Sequence, residues 1–461
     1  MNFNDIKLSI TAEKCGVIVD EQGKIKNFNH NKFLKFYLSK IRVIAYDKIK
    51  KAYYIYDDKR HVYCDVDIIE IKQDMLRVLD VVDSDIWNSK RAREIEELLP
   101  LRCFSVETLK DGSEYLNVMN GLYSVKDDKL YKHSKEIFTT RQLPFNYNPK
   151  AKAPKWKKFL NTVFLGDEQL RLLLQEMTGY ALSQKTDAQR FFFLYSDGAS
   201  GKSIYCKILT KLAGGEKFVS NVTLGDLNKK FARRQLCDAV VNIATENEVK
   251  LFNTETIKAL TSGDSVQIEG KFERAFSAVI TAKQIFALNT LPKPKDITYA
   301  FYRRLVIIPF LARFVDEPNP DSDNEFKKNP EILNELEPDL EGILAWAVKG
   351  LKRLIKNDYQ FTRSDKADEL LNEYRMAIDP VLDFMKEAIK ADDNSKLNYN
   401  VVYNAFKEWC GNSGIKTIKE RRPFMSELRY HLTQENIKFK MKHSNSNRFL
   451  EGISFKKSFV R

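Results

Sequence analysis

The run FFFLYSDGASGKSIYCKILTKL, residues 191–212, decides how the chain folds. Its first five residues are continuously apolar, which is the pattern of a strand buried on both faces. Its last nine, IYCKILTKL, carry apolar residues at helical spacing. Between them SDGASGKS places two glycines in a tight turn. A strand, a Gly-rich turn and a helix start aim successive backbone N–H groups and the positive end of a helix dipole at one point, which is what a phosphate needs. Ser196, Asp197, Gly198, Ala199, Ser200, Gly201, Lys202 and Ser203 are therefore the candidate loop for ATP. In this reading Lys202 reaches the β- and γ-phosphates and the Ser203 hydroxyl coordinates Mg²⁺. The first glycine usual in such loops is absent, because position 196 is serine.

Outward from the loop, short apolar runs alternate with helical segments over residues 186–312. FFFLY, AVVNIA (239–244), AVI (278–280), QIFAL (284–288) and RLVIIPF (304–310) read as buried parallel strands. A phosphate loop requires an acid to orient water, a polar group to sense the γ-phosphate and often an arginine from a neighbour. AVVNIATENE ends its strand near Glu246, the candidate acid and a second Mg²⁺ ligand, with Glu248 as its alternative. QIFAL delivers Asn289 as the sensor, and FYRRLVIIPF supplies Arg303 and Arg304, one of which could reach across a subunit interface. Residues 315–330, VDEPNPDSDNEFKKNP, read as a polar loop punctuated by proline.

The flanks divide into further regions. Residues 1–112 read as a small α+β domain without visible chemistry, in which VIAYDKIKKAYYIY (43–56) forms two strands around a Lys-rich turn. Residues 113–185 carry short strands and then helical periodicity, 186–379 hold the ATPase with a helical continuation, and 380–461 form the last domain. That domain reads as three helices followed by a hairpin, the order of a winged helix. Its last 81 residues hold 16 Lys and Arg against 9 Asp and Glu, more than half of the net charge of +13 in the 461-residue chain. Such an excess points to a polyanionic partner. Arg421, Arg422 and Arg429 around the third helix, with Lys438, Lys440 and Lys442 on the hairpin, are the candidate contacts to duplex DNA. Six scattered cysteines without CxxC spacing exclude a zinc ribbon or a disulfide framework, and fit a cytoplasmic setting. No apolar stretch approaches the ~18 residues that span a bilayer, so no membrane partner is expected.

In order and placement, NGLYSV (120–125), TTRQLPFNYNP (139–149), QEMTGYAL (175–182), GASGKS, ATENE, KALTSGDSVQIEGKFERAF (258–276), FALNTLP (286–292) and YRRLVIIPF resemble the superfamily 3 helicases of the poxvirus and phage primase-helicase type. The resemblance implies an α/β AAA+ P-loop core, a helical collar at 113–185, a homohexameric ring with ATP between subunits, and 3′-to-5′ movement on single-stranded DNA held in the pore. It places Lys202, Ser203, Glu246, Asn289 and the Arg303/Arg304 pair on the family's nucleotide positions. It also makes the stretch between the acid and the sensor a pore hairpin whose tip, Gly270-Lys271-Phe272, offers a cation and an aromatic, with Arg274 a weaker candidate. Self-loading initiators of phages and phage satellites are similar in size, which implies origin recognition by the C-terminal domain and a bacterial host cell. Residues 1–112 do not match a primase catalytic domain. Two other readings stand beside the motor: an ATP-switched, origin-binding initiator without motor activity, and a helicase acting on RNA.

Overall fold

Up to residue 131, beyond a short antiparallel ribbon (Val17–Val19 with Ile25–Phe28), the chain builds two larger sheets, the first mixed and the second antiparallel. In the computed structural model, which describes residues 10–22, 24–245, 251–270, 275–294, 299–413, 415, 418–444 and 447–459, the first sheet grows from the expected hairpin. Ile44–Asp47 pairs antiparallel with Ala52–Asp57, and Val62–Val66 and Phe104–Ser105 extend the sheet on either side. Strand alternation sends Ile44 and Ile55 to a core shared with Phe33, Leu34, Ile71 and Leu99 from three helices. Ala45, Tyr54 and Tyr56 face the other way into a small aromatic cluster. A three-stranded meander follows, from Tyr115–Val118 through Gly121–Ser124 to Lys129–Tyr131.

Two helices come next, α1 (Pro154–Val163) and α2 (Glu168–Leu182). Asp167 caps α2 by accepting from the Leu170 amide, and Pro154 opens α1 at a position where its missing N–H costs nothing. The quoted run then folds as read. Strand β1 (Phe191–Tyr195) leads through the loop into α3 (Lys202–Ala213). With β2 (Val219–Ser220), β3 (Val241–Ala244), β4 (Lys283–Leu288) and β5 (Leu305–Pro309) it makes a five-stranded sheet, ordered β2–β3–β4–β1–β5. Every pairing in it is parallel. Phe191, Phe192, Phe193, Ile285 and Phe286 are fully buried, as continuous apolar runs in a parallel sheet require.

Helix α4 (Leu340–Lys356) crosses α2 at very close range. A Cβ on Gly179 would stand 2.2 Å from the Ala347 carbonyl, and one on Gly350 would stand 2.3 Å from that of Gln175. Buried Glu176 locks the crossing by accepting from Arg353 Nε (2.6 Å) and from the Thr362 amide and hydroxyl.

Two expectations change. AVI (278–280) is not a strand of the parallel sheet: Phe276–Val279 pairs antiparallel with Ser265–Ile268, and Val279 is exposed. Its alternating pattern belongs to a ribbon with one wet face. The polar stretch 315–330 is not all loop, since Arg313–Val315 and Glu325–Lys327 pair in parallel and bring Phe314 and Phe326 together.

The chain forms two compact units, and these elements make the first, which takes in residues to 249, 253–290 and 303–362. The second unit comprises 250–252, 291–302 and 363–461. It holds helix Asp365–Ile378 and then α5 (Pro380–Ala388), β6 (Ile389–Asn398), α6 (Tyr399–Asn412), α7 (Arg421–Gln434), β7 (Lys440–Ser444) and β8 (Asn447–Phe455). The strands form an antiparallel sheet with β8 in the middle. Phe384, Phe406, Phe424, Leu428 and Leu450 fill its core, with the Phe406 and Phe424 rings stacked 4.2 Å apart. Strand β6 is an addition to the three helices and hairpin read from the sequence. Its polar string KADDNSKLN shows no apolar alternation, and its pairing with β8 shifts register between Asp392 and Lys396.

Candidate nucleotide site

The loop closes on itself through side chains. Gly201 lies in the left-handed region (φ 88°) and so does Ala199 (φ 48°), a conformation that only a forced turn imposes on a residue with a Cβ. Phe159 of α1 lies under the turn, its ring edge 3.1 Å from where a Gly201 Cβ would stand. The Phe314 amide donates to the Ala199 carbonyl (2.7 Å) and ties the loop to the strand pair 313–327.

Lys202 begins α3 and is buried, and its ammonium turns back into the loop. It donates to the Ser196 carbonyl (3.1 Å), to the Ser196 hydroxyl and to Asn289 Oδ1 (2.9 Å). The Ser196 hydroxyl also meets Ser200 Oγ (2.6 Å) and accepts from the Gly198 amide (3.2 Å). Serine at the first loop position thus takes the place of an external acceptor for the lysine. Burial lowers the Lys202 pKa to about 8, against the opposing pull of Cys206 and Asp197.

Sheet order explains how Asn289 arrives there. It follows β4, which lies between β1 and β3, so the residue after β4 stands beside the loop after β1. The same order puts the end of β3 one strand further along. Glu246 and Glu248 lie outside the described residues, two and four positions beyond the last residue of β3. Lys271, Phe272 and Arg274 also lie outside them, between the two strands of the 265–279 ribbon.

Arg303 and Arg304 precede β5, and Leu305 pairs with Phe191 at the start of β1. They therefore stand at the opposite end of the sheet from their own loop, roughly 16 Å away for five strand residues. Neither stands beside the loop that follows β1. The two differ further: exposed Arg303 donates to Gln189 Oε1 (3.2 Å), whereas buried Arg304 donates to Ser262 Oγ (2.7 Å).

Loop and helix face a cleft of about 1090 Å³. Ser203 and Asn289 line it, as do Lys155 and Lys158 from α1 and Lys327 and Lys328 from the 313–328 segment. Phe159, Phe314 and Phe326 give it an apolar wall, with ring centroids 6.1–6.5 Å apart. The sequence reading missed this wall, because the two later phenylalanines sit in a stretch dominated by Asp, Asn and Pro. No cluster of three metal-ligating side chains occurs among the described residues. A hard cation here would draw on the Ser203 hydroxyl and on phosphate oxygens, which suits Mg²⁺.

The C-terminal candidates divide. Arg421 donates to Asn400, Arg429 to the Met425 carbonyl (3.0 Å) and to Met441 Sδ (2.9 Å), and Lys442 pairs with Glu451 (2.8 Å). Arg422, Lys438 and Lys440 are exposed.

Fold and site together define an α/β protein with a Gly-rich, lysine-bearing loop between a central parallel strand and its helix. Comparison with known proteins carries this further. Residues 31–165 match the family model described as D5 N terminal like, 194–304 match a family of unknown function (DUF5906), and 377–458 match the model described as Poxvirus D5 protein-like. Three relatives bear the name "Putative helicase". They are 121R of Invertebrate iridescent virus 3 (28% identical, over 39% of this chain and 21% of that protein), 022R of Frog virus 3 (isolate Goorha) (25%, over 60% and 30%) and 184R of Invertebrate iridescent virus 6 (23%, over 66% and 35%). The chain thus spans about a third or less of the length of these relatives. The apo structure of the NrS-1 C-terminal region (A form) shares the fold at a TM-score of 0.50 and 13% identity, over 91% of this chain and 98% of that one.

Over residues 31–165 and 377–458 the chain thus resembles poxvirus D5-type proteins. The D5 N terminal like match begins at residue 31, so the likeness reaches well ahead of Asn120, where the quoted motifs begin. The relatives come from viruses named for invertebrates and a frog, which leaves the expected bacterial host cell without support. No described helix is long and apolar enough to cross a membrane.

Proposed function

We propose that the chain is an ATP-hydrolysing superfamily 3 DNA helicase with an AAA+ core, acting in replication initiation as a homohexamer that moves 3′-to-5′ on single-stranded DNA. The observation that carries this reading is the meeting of Lys202 with Asn289, two residues 87 positions apart, inside the strand–loop–helix turn. The strand order supports it, since a sensor strand inserted between the loop strand and the acid strand is what hydrolysis at this loop needs. Bound Mg²⁺ would supply neutralising charge on the phosphates. Lys202 and Ser203 hold the phosphate end of ATP, Lys155, Lys158, Lys327 and Lys328 surround it, and the phenylalanine wall receives the base. Glu246 takes the proton of the attacking water and Asn289 orients that water. Arg303, exposed and remote from its own loop, serves the neighbouring subunit, while Arg304 holds the start of β5 in place. The 265–279 ribbon carries Lys271 and Phe272 to the strand in the pore.

The helix–strand–helix–helix–strand–strand order of residues 380–455 supports a winged helix that reads duplex origin DNA through α7 and the β7–β8 ribbon. The test is ATP-dependent unwinding of a forked DNA by the wild type and by Lys202→Ala. Unwinding by the wild type alone upholds the motor. If neither unwinds while both bind duplex DNA, the ATP-switched initiator replaces it. The hold of Ser196 on Lys202 favours that second reading. A matched RNA fork tests the RNA alternative.

A further inference from the structure

Helix α1 separates two clefts. Phe159, Lys155 and Lys158 face the nucleotide cleft, whereas Leu160 and Lys157 line a second groove of about 500 Å³ between α1, α2, α4 and residues 149–153. Five cations, Lys150, Lys152, Lys157, Arg171 and Lys349, line this groove against one acid, Glu168. The four lysines are exposed. Glu168 only reaches Arg171 at 4.0 Å, and Arg171 Nε is buried with no acceptor among the described residues. A buried donor of a planar guanidinium left without an acceptor costs stability unless something outside the chain supplies one. In the same groove stands Trp346, half-buried and braced edge-to-face against the fully buried Trp156 at 5.6 Å. A fixed indole beside exposed lysines is the chemistry that stacks a base and neutralises the phosphates on either side of it.

We infer that this groove binds single-stranded nucleic acid, at a site separate from the nucleotide cleft, the 265–279 ribbon and the C-terminal unit. Single strands fit better than the alternatives. A duplex hides its base faces from Trp346, and an acidic protein segment offers no flat ring to it. Because α1 forms a wall of both clefts and its Phe159 supports the phosphate loop, a strand in the groove acts on the nucleotide site through that one helix. This last coupling rests on the proposed ATPase, whereas strand binding itself does not.

The test uses the full chain without nucleotide, so that its failure is distinct from failure of the motor. Fluorescence anisotropy with a labelled oligo(dT) is recorded across a salt series for the wild type and for Lys152→Ala/Lys157→Ala/Lys349→Ala. With about 0.7 counterions released per phosphate on single strands, the triple variant should lower the salt slope by about 2. The Lys→Arg triple variant should restore it, and Lys126→Ala, outside the groove, should change nothing. An unchanged slope in the alanine variant overturns the proposal, as does displacement of the oligonucleotide by a poly-glutamate peptide at equal charge concentration. Photo-crosslinking of a 5-iododeoxyuridine oligonucleotide to the wild type needs no variant and covers the case in which the triple variant misfolds. Crosslinks in peptides containing residues 150–157 or Trp346 uphold the site, and crosslinks confined to other peptides overturn it. With ATP present, oligo(dT) stimulation of hydrolysis should drop in the alanine variant while the basal rate stays within about twofold.

Discussion

The nucleotide cleft and the C-terminal unit both rely on positive charge, and they present it in opposite ways. At the loop, one buried lysine is held by three acceptors on two elements, and its pKa falls to about 8. In the C-terminal unit, exposed residues such as Arg422, Lys438 and Lys440 surround an apolar core that would fold without them. A desolvated charge acts through position, so a single substitution is decisive. Solvated charges act through number, so substitutions add up in small steps and fade with salt.

The widest gap between the two regions should appear in Lys202→Ala, which should lower ATP hydrolysis by roughly 10²–10³-fold, the cost of losing one preorganised charge contact. Steady-state phosphate release measures it, and a rate within tenfold of wild type would mean that the cleft is not the hydrolytic site. Next in size is a buried pair inside the C-terminal unit. Burial alone would raise the Asp379 carboxyl, but His431 at 2.9 Å and the Leu382 amide outweigh it and hold the pKa below its ordinary value. A carboxylate with a lowered folded pKa stabilises above its unfolded value, near pH 4, and loses that contribution as pH falls further. Asp379→Asn should therefore destabilise the chain by roughly 3 kcal/mol at pH 7, and by much less at pH 3. Equal losses at both pH values would assign the effect to the helix cap instead.

Smaller and additive effects are expected of the solvated charges. Arg421→Ala, Arg422→Ala and Lys440→Ala together should lower the salt slope of duplex DNA binding by up to about 3, at ~0.9 per phosphate, with ATP affinity unchanged. The paired arginines before β5 repeat the contrast within two adjacent residues. Arg304→Ala removes a buried donor to Ser262 and should cost about 1–2 kcal/mol in thermal unfolding, whereas Arg303→Ala should leave the melting temperature alone and lower only the ATPase rate. The smallest signal is protonic. Lys202 titrates near 8 in the folded chain and near 10.4 when unfolded, so its contribution to stability rises with pH between those values. ATP phosphates would restore its proton, and calorimetric titrations at pH 8.5 in buffers of different ionisation enthalpy should reveal proton uptake. Lys202→Arg should abolish that uptake.

How much of this was legible beforehand depends on how local the signal is. The loop, its strand and its helix lie within 22 consecutive residues, and strands FFFLY, AVVNIA, QIFAL and RLVIIPF were readable because burial on both faces demands unbroken apolar runs. AVI mimics such a run, yet it belongs to an antiparallel ribbon, since three residues cannot show which face is wet. Strand β6 was missed because its partner β8 lies more than fifty residues away and its own residues are polar. The phenylalanine wall escaped because Phe314 and Phe326 are separated by a polar, Pro-containing turn, and only their pairing makes a surface of them.

By itself, the sequence determined what period and turn chemistry can encode: a Gly-rich loop between a buried strand and a helix, candidate residues around it, and a basic C-terminal region. Only the tertiary structure decided which distant residues share a space with the loop. Sheet order brought Asn289 to Lys202, strand direction sent Arg303 and Arg304 to the far end, and the crossing of α2 with α4 set Trp346 among five cations. The reason is physical: a chain's local pattern fixes which faces must be buried, while the neighbours that bury them are chosen by packing across the whole unit.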